Sequence, residues 1–325
     1  MHFLEVESPA ADGVLLGVDI GGTKTALLAF DIASGEPVGE KWYGTDCTVG
    51  PDRMIERIYA EAEALLRSHG RPFSQIQAIG VGVPGRVDDR GHVLEAGNLT
   101  GWNDVPLRER LASDLKVAAW VDQDANLGAL GERWRGCAQS MGNFVFLALG
   151  TGVGAGLVLD GKLYRGARHA AGEVGDIVPD RSKLGAGSAE RNLGGLIGGR
   201  TIRAKALRAV GEWLTAAESL QQADWDDRLE ALAGLVSDYV ALTVINISTL
   251  LDPEAIIFGG GTASAGAALL DRVHDRLEGE LRVMPNLVLS ALGEHAQVYG
   301  AIWGAMSARK SALLHAADAL NPGRF

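Results

Sequence analysis

The sequence predicts a duplicated α/β fold made of two related domains. Apolar strands alternate with helical segments along the chain, and one glycine-rich hairpin pattern occurs twice. The first copy is LLGVDIGGTKTALLAFD at 15–31, and the second is FVFLALGTGVGAGLVLDG at 144–161. In each copy an apolar strand leads into glycine and threonine, and a second apolar strand ends in Asp. The repeat predicts that the two domains arose from one unit.

The hairpin tips have the composition of phosphate-binding turns. Glycine lets backbone N–H groups approach a phosphate without an intervening Cβ, and Asp19 stands where a phosphate-bound Mg²⁺ could meet it, directly or through water. Two better-known patterns do not fit. Gly22 is followed by Thr23 rather than the lysine of a P-loop, and the glycines at 150–156 lack the dinucleotide-binding spacing. The candidate nucleotide ligands of the tips are Asp19, Gly21, Gly22, Thr23, Lys24, Gly150, Thr151 and Gly152.

Bulk properties exclude several classes of protein. The 325 residues suffice for two domains, and 47% hydrophobic content is normal for a packed core. A formal charge of −11 without a Lys/Arg cluster argues against a nucleic-acid partner. Cys47 and Cys137 form no CxxC pair, which fits a reducing compartment. Because we find neither a signal peptide nor an apolar run long enough to span a membrane, we expect a cytoplasmic protein without a membrane partner.

Apolar spacing and chain breakers predict the remaining elements in order. Strand, hairpin and strand fill 14–46, and a helix at 51–67 begins near Pro51 and stops before Gly70. Short apolar runs that end in Pro-Gly, in Asp-Gln-Asp or in three glycines read as strands, whereas longer runs with helical spacing read as helices. These further elements are strands at 78–83, 117–121 and 255–258, helices at 124 or 125 to 135, at 235–251 and at 296–314, a long loop at 175–195 and a surface connection at 215–227.

Polar side chains follow several of these strands. Asp124 comes after AAWVDQ, where a carboxylate is equally placed to cap a helix or to act as a general base towards a hydroxyl. Glu173 and Glu190 lie in glycine-rich loops, and Asn98 lies in the turn GNLTGW, positions that are commonly just solvated. Together, however, such residues are the kind of lining that reads sugar hydroxyls.

The chain resembles the ROK family of sugar kinases and sugar-responsive repressors, which belongs to the actin-like/hexokinase ATPase superfamily with its ribonuclease H-like fold. The resemblance covers about 14–310. It implies an N-terminal domain of 10–130 plus about 306–325 and a C-terminal domain of 131–305, with a central cleft. The segments that carry it are GVDIGGTKTALLAFD, GVGVPGRVD, NLTGW, VDQDANLGALGE, LALGTGVGAGLVLDGKLYRGARHAAGEVG, IIFGGGTA and SALGEHAQVYGAIWGA.

The resemblance also implies roles for these residues. ATP and Mg²⁺ would phosphorylate a hexose or amino sugar at O6, with Asp124 as base and Asp19 meeting Mg²⁺ through water. We expect a small-molecule sugar as the partner, a homodimer, and no nucleic acid or membrane. The implied sugar-binding residues are Gly85, Asn98, Gln123, Asp124, Glu173, Asp176 and Glu190, and the adenosine would lie by Gly259, Gly260 and Gly261.

The sequence departs from the family pattern in three ways. Asp176 replaces the family's His, the cysteine run reads KLGAGSAE without cysteine, and Gln123 replaces an Asn. We therefore expect no structural zinc. Asp176 either faces the sugar, favouring a substrate rich in donors, or caps the following turn. The identity of the sugar and the choice between ATP and polyphosphate stay open.

Two alternatives accompany the kinase interpretation. One is a sugar-responsive regulator without a DNA-binding domain; a repressor of the family's usual kind is disfavoured, because only about thirteen residues, none forming a basic cluster, precede the first strand, where family repressors carry a helix-turn-helix. The other is a catalytically weak sugar-binding pseudokinase, suggested by Asp176 and Gln123. ATP turnover over a panel of sugars separates these alternatives from a kinase.

Overall fold

The computed structural model describes residues 13–320, which fold into strands and helices in the expected α/β alternation. The strands are β1 (Val14–Ile20), β2 (Lys24–Asp31), β3 (Pro37–Gly44), β4 (Ile76–Val83), β5 (Arg86–Val87), β6 (Val93–Glu95), β7 (Asn103–Val105), β8 (Ala118–Gln123), β9 (Phe144–Leu149), β10 (Val153–Leu159), β11 (Lys162–Tyr164), β12 (Ala255–Gly259) and β13 (Asn286–Leu289). The helices are α1 (Pro51–Ser68), α2 (Leu107–Leu115), α3 (Asp124–Arg135), α4 (Ser188–Arg191), α5 (Leu193–Ile197), α6 (Gly199–Val210), α7 (Ala216–Gln222), α8 (Asp227–Leu251), α9 (Ala267–Leu277) and α10 (Ala296–Leu320).

Two five-stranded sheets share one topology. The first has the order β3-β2-β1-β4-β8, and the second has the order β11-β10-β9-β12-β13. In the first sheet β1 runs antiparallel to β2 and parallel to β4, and in the second β9 runs antiparallel to β10 and parallel to β12. The two glycine-rich hairpins therefore occupy equivalent positions, which confirms the predicted duplication.

The described chain divides into two compact units, one of residues 13–122 with 301–320 and the other of residues 123–300. The predicted boundaries at 130 and 306 fall inside α3 and α10, so the division lies earlier than expected at both places. Helix α3 belongs with the second unit because its backbone packs against that unit's sheet. A Cβ added to Gly128 would lie 2.2 Å from the ring of Phe146, so only glycine allows this approach.

The core of the first unit explains its local structure. Strands β1 and β4 are buried along almost their whole length, as expected for parallel neighbours covered on both faces. Helix α1 begins with Pro51, which suits the first turn of a helix, and buries the face that carries Met54, Ile58 and Leu66. The register of β1 with β2 leaves the turn between Ile20 and Thr25 at the end of the sheet.

Several segments differ from the sequence expectations. The stretch 175–195, expected as a loop, contains a 3₁₀ turn, α4 and most of α5, and the connection 215–227 contains α7. Helix α7 begins with a capping box between Thr215 and Glu218, a T-x-x-E pattern that is visible in the sequence. Helix α8 begins at Asp227 rather than at 235, because Asp226 caps its first turn. Short helices in glycine-rich segments lack the apolar repeat that reveals longer ones.

Helix α8 contradicts the expectation that no apolar run reaches the length of a membrane span. Within the described residues it is long and apolar enough, with a mean hydropathy of 1.5 over its most apolar window. However, 56% of that window is buried inside the protein. Val236, Val240 and Val244 pack in the core of the second unit, so α8 is accounted for as a core helix.

Candidate functional site

Asp124 is the first residue of α3, directly after strand β8. Gln123 is the N-cap with extended backbone angles, φ −64° and ψ 141°, and the chain turns from strand to helix there. The Oδ1 atom of Asp124 accepts a hydrogen bond from the backbone N–H of Ala125 at 2.7 Å. Desolvation raises the pKa of Asp124 to about 6, partly offset by hydrogen bonds from the N–H groups of Ala125 and Asp124. The carboxylate is thus ionised at neutral pH but more basic than an ordinary aspartate.

Helix α3 is held in the second unit by direct backbone contacts. A Cβ on Gly156 of β10 would lie 2.3 Å from the carbonyl oxygen of Ala125, and a Cβ on Gly300 would lie 1.8 Å from that of Leu127. No side chain fits between these elements, so the helix sits at a fixed distance from the second hairpin. Asp124 is consequently positioned by the same rigid scaffold that carries the hairpin.

The residues predicted to bind sugar in this unit converge in part. Gln123 donates a hydrogen bond from Nε2 to Oε1 of Glu173 at 2.9 Å. The turn that precedes Glu173 is anchored to β10, since Ala155 donates its backbone N–H to the carbonyl of Gly172 at 2.7 Å. Gly172 has φ +93°, and a Cβ there would lie 2.0 Å from the carbonyl oxygen of Ala155. Gln123 and Glu173 therefore form a hydrogen-bonded pair, and Asp124 follows Gln123 directly in the chain.

Asp176 is tied to a residue that the sequence analysis missed. Its Oδ1 accepts a hydrogen bond from Nδ2 of Asn192 at 3.1 Å, while Oδ1 of Asn192 accepts the N–H of Gly195 at 3.0 Å and caps α5. An Asn directly before a short apolar helix is a recognisable N-cap signal. The carboxylate of Asp176 thus has a structural partner, and its side chain is also exposed. Glu190 lies exposed in α4, and its backbone N–H bonds the carbonyl of Gly187.

Two substitutions of Asp176 separate a sugar contact from this structural role. Asp176→Asn retains an oxygen that can accept from Asn192, whereas Asp176→Ala removes it. If the carboxylate contacts sugar, both variants raise the KM for sugar and leave the KM for ATP unchanged. If it only orders the loop, Asp176→Ala alone lowers the melting temperature and Asp176→Asn has wild-type sugar kinetics. Steady-state kinetics and thermal melts of both variants make the comparison.

The tip of the second hairpin is open on one side. Gly150 donates its N–H to the carbonyl of Gly152 at 3.0 Å, and its own carbonyl accepts the N–H of Gly199, at the start of α6, at 2.9 Å. Thr151 likewise accepts the N–H of Arg200. A Cβ built on Gly150 or Gly152 would meet no atom of the described residues within 4 Å. Packing therefore does not demand glycine here, and the space that a Cβ would fill suits an approaching phosphate.

The glycines at 259–261, at the end of β12, are more closely surrounded than those at the tip of the second hairpin. A Cβ on Gly259 would lie 2.2 Å from the ring of Phe146. Gly260 has φ +86°, and its Cβ would lie 2.6 Å from the carbonyl oxygen of Leu149. Both glycines are thus required by the fold itself. Gly261 is exposed, and a Cβ built there would have its nearest contact 3.8 Å away, at Oε1 of Glu294, so it is the glycine of this turn most open to a ligand.

In the first unit, the β1–β2 hairpin holds the other predicted phosphate residues. Gly21 closes the turn by donating its N–H to the carbonyl of Lys24 at 3.0 Å. Lys24 lies with Nζ 4.5 Å from the ring centroid of Trp42, and Cys47 donates its thiol to the carbonyl of Gly22 at 3.1 Å. Neither Trp42 nor Cys47 was singled out from the sequence. Asp19 is partly exposed in β1 and Thr23 is exposed at the tip.

Gly85 and Asn98 lie beside the three-stranded sheet β5-β6-β7 of the first unit. Gly85 has φ +87° in the turn between β4 and β5, and a Cβ there would lie 2.1 Å from the carbonyl oxygen of Glu95. Glycine is therefore required at this turn by backbone geometry. Asn98 is exposed in the turn between β6 and β7. The two residues flank one small sheet, and their role as sugar-side residues stays a prediction.

The Cys, His, Asp and Glu side chains of the protein limit which metal ions it could bind. Among residues 13–320, no group of three or more His, Cys, Asp or Glu side chains is placed to hold a metal ion. The segment 175–190 contains neither Cys nor His, the ligands of structural zinc sites, and the absence of zinc stays a prediction. A single carboxylate such as Asp19 suits Mg²⁺, which keeps several waters and shares ligands with substrate phosphates.

Comparison with known proteins yields a consistent set of relatives. The model of the ROK family matches residues 15–307. The chain is 32% identical to a glucokinase of Halalkalibacterium halodurans, over 90% of this chain and 95% of that protein. It is 29% identical to an N-acetyl-D-glucosamine kinase of Escherichia fergusonii, over 93% and 99% of the two chains.

Solved structures agree with these relatives. A ROK family glucokinase from Streptomyces griseus in complex with glucose and AMPPNP superposes with a TM-score of 0.77 at 28% identity. The match covers 92% of this chain and 100% of that one. This likeness confirms the predicted actin-like/hexokinase fold class.

Proposed function

Because this chain belongs to the ROK family, we propose that it is a kinase that transfers a phosphoryl group from ATP to O6 of a hexose or an amino sugar. One observation carries the proposal. Asp124, with a pKa raised to about 6, stands at the head of α3 beside the bonded pair Gln123–Glu173. The same unit carries the hairpin with the open glycine tip.

Asp124 acts as the general base in this proposal. A base is most effective when its pKa lies near the working pH, because it is then both ionised and able to take a proton. At neutral pH the raised pKa of Asp124 meets both conditions. The carboxylate accepts the proton of the attacking hydroxyl as the oxygen bonds to phosphorus.

Gln123 and Glu173 orient the sugar. Their mutual hydrogen bond holds both side chains in one geometry before substrate arrives, which lowers the cost of ordering them on binding. A carboxylate has lone pairs beyond the one used by Gln123 and can accept from sugar hydroxyls. The longer Gln123 side chain therefore keeps a defined place, and this observation favours a working kinase over a pseudokinase.

The two hairpins supply the phosphate ligands. The N–H groups of Thr151 and Gly152 would cradle phosphate oxygens in the second unit, and those of Gly22 and Thr23 would do so in the first, while the N–H groups of Gly150 and Gly21 close the two turns. Asp19 would hold Mg²⁺ through water, and the ion would supply charge neutralisation for the phosphoryl group. Gly261, at the open end of its turn, would lie along the adenosine.

Turnover by the full-length protein tests this function. We expect ADP and a sugar phosphate from ATP, Mg²⁺ and at least one member of a panel of glucose, mannose, N-acetylglucosamine and N-acetylmannosamine. Polyphosphate in place of ATP identifies the donor. Saturable sugar binding by calorimetry without sugar phosphate from either donor would contradict the kinase and favour the pseudokinase.

The activity should depend on pH through Asp124. Only the ionised carboxylate can accept a proton, so kcat/KM for sugar is expected to fall about tenfold per pH unit below a pKa near 6. The residual activity of Asp124→Asn should lack this limb, because the variant has no group there to titrate. A pH–rate profile of both proteins makes the measurement. An identical limb in the variant would assign the titration to another group.

A further inference from the structure

Glu132, in the last turn of α3, is a carboxylate that is fully buried in the second unit. It lies at the opposite end of the helix from Asp124. A buried carboxylate is costly unless donors surround it. Glu132 meets this requirement with four hydrogen bonds, which come from two different segments of the chain.

One oxygen of Glu132 binds the turn that follows α3. Oε2 accepts the backbone N–H of Cys137 at 2.9 Å and its thiol at 3.2 Å. Burial and the neighbouring Glu132 raise the pKa of Cys137 to about 11, so the thiol stays protonated and remains a donor. The turn is close-packed here, since a Cβ on Gly136 would lie 1.9 Å from the same oxygen.

The other oxygen binds the segment between β13 and α10. Oε1 accepts the hydroxyl of Ser290 at 2.5 Å and the backbone N–H of Leu292 at 3.1 Å. Ser290 also donates its backbone N–H to the carbonyl of Phe258 at 2.8 Å, at the end of β12. The same segment brings Glu294 near Gly261. It therefore runs alongside the glycine turn that would contact the adenosine.

We propose that Glu132 is a positioning residue that couples the nucleotide-side segment, residues 290–294 and the turn 259–261, to the helix that carries Asp124. This inference rests on the proposed kinase function. Helix α3 has 12 residues and is about 18 Å long, so it links the two ends as a short rod. An error of about 1 Å between nucleotide and base is enough to reduce the rate strongly. Glu132 limits such displacements because its hydrogen bonds with Ser290 and Leu292 hold the nucleotide-side segment against α3.

A matched pair of variants tests the coupling. Ser290→Ala and Cys137→Ala each remove one side-chain donor from the same carboxylate, Ser290 on the nucleotide side and Cys137 on the turn. If Glu132 couples the nucleotide side to α3, Ser290→Ala should weaken AMPPNP binding, measured by calorimetry, by up to about tenfold, because the free energy of one lost hydrogen bond to a charged group limits the effect that can reach the nucleotide. It should also lower kcat, whereas Cys137→Ala should keep wild-type nucleotide affinity and kcat.

The isosteric variant Glu132→Gln provides a second test of the coupling. Its amide can accept on one side only, so a backbone N–H of Cys137 or Leu292 would face an NH₂ group. We expect weaker AMPPNP binding with an unchanged Kd for sugar. Wild-type AMPPNP affinity in folded Ser290→Ala, or equal losses in Ser290→Ala and Cys137→Ala, would overturn the coupling. Failure of the wild-type protein to phosphorylate any sugar would instead overturn the kinase function, because nucleotide affinity is measured without turnover.

Discussion

Asp124→Asn is expected to lose about 10²–10⁴-fold in kcat, the usual contribution of a positioned general base. The variant should also be at least as stable as the wild type at pH 7. The pKa of Asp124 is about 6 in the folded chain against an ordinary value of 3.8, so the folded chain binds this proton more tightly than the unfolded chain does. Ionisation of Asp124 thus costs stability as the pH rises from about 4 to about 6, and Asn avoids that cost. Coupled assays and thermal melts at pH 4 and pH 7 measure both effects.

Asp122→Asn is the matched control for this prediction. Asp122 is also a carboxylate at the end of β8, and it is buried. We expect a smaller loss of kcat from Asp122→Asn than from Asp124→Asn at equal folded fraction. Near-normal kcat in Asp124→Asn, or an equal loss in both variants, would remove the base assignment.

Gly152→Ala is expected to weaken ATP binding by about tenfold or more while leaving the fold intact. Because no atom of the described residues lies within 4 Å of the added Cβ, the methyl group would point into the space assigned to phosphate. Losing the close approach of one N–H to a charged oxygen costs about 1.5–3 kcal/mol, which corresponds to roughly tenfold to a hundredfold in affinity. Calorimetry with AMPPNP and a thermal melt give the two readouts.

Two other glycines provide controls for Gly152→Ala. Gly50, the N-cap of α1, has the same open surroundings among the described residues, so Gly50→Ala should leave ATP affinity unchanged. Gly259→Ala should destabilise the fold by about 1–3 kcal/mol, because its Cβ would overlap the ring of Phe146. Wild-type AMPPNP affinity in Gly152→Ala would show that the tip does not hold phosphate.

The duplicated fold was predictable because its signal is local. Each hairpin carries its apolar strands and glycine tip within a short stretch, and the pattern repeats intact at 15–31 and 144–161. The unit boundaries were not predictable in the same way. Helix α3 belongs with the second unit through contacts such as Gly128 on Phe146, and a glycine in a helix does not reveal which backbone or ring it will meet.

In the candidate site, too, single residues could be predicted from their own segment, but contacts between residues far apart in the sequence could not. Gln123 and Glu173 could be singled out one by one, but their hydrogen bond joins residues fifty positions apart. Glu132 reads as an ordinary helical glutamate, and its burial arises only when Ser290 and Leu292 fold beside it. The resemblance to the ROK family implied that the glycines at 259 and 260 lie by the adenosine, whereas their surroundings require glycine for packing and backbone conformation.

Phosphorus NMR of the reaction mixture shows whether the γ-phosphoryl group of ATP reaches O6 of the sugar. The full-length protein is incubated with ATP, Mg²⁺ and the sugar from the panel that is turned over fastest, and the fate of the γ-phosphoryl group is followed. We expect a phosphomonoester resonance coupled to the two protons on C6, formed together with ADP and almost absent with Asp124→Asn. Inorganic phosphate as the sole product across the panel, or a phosphoryl group on a sugar carbon other than C6, would contradict it.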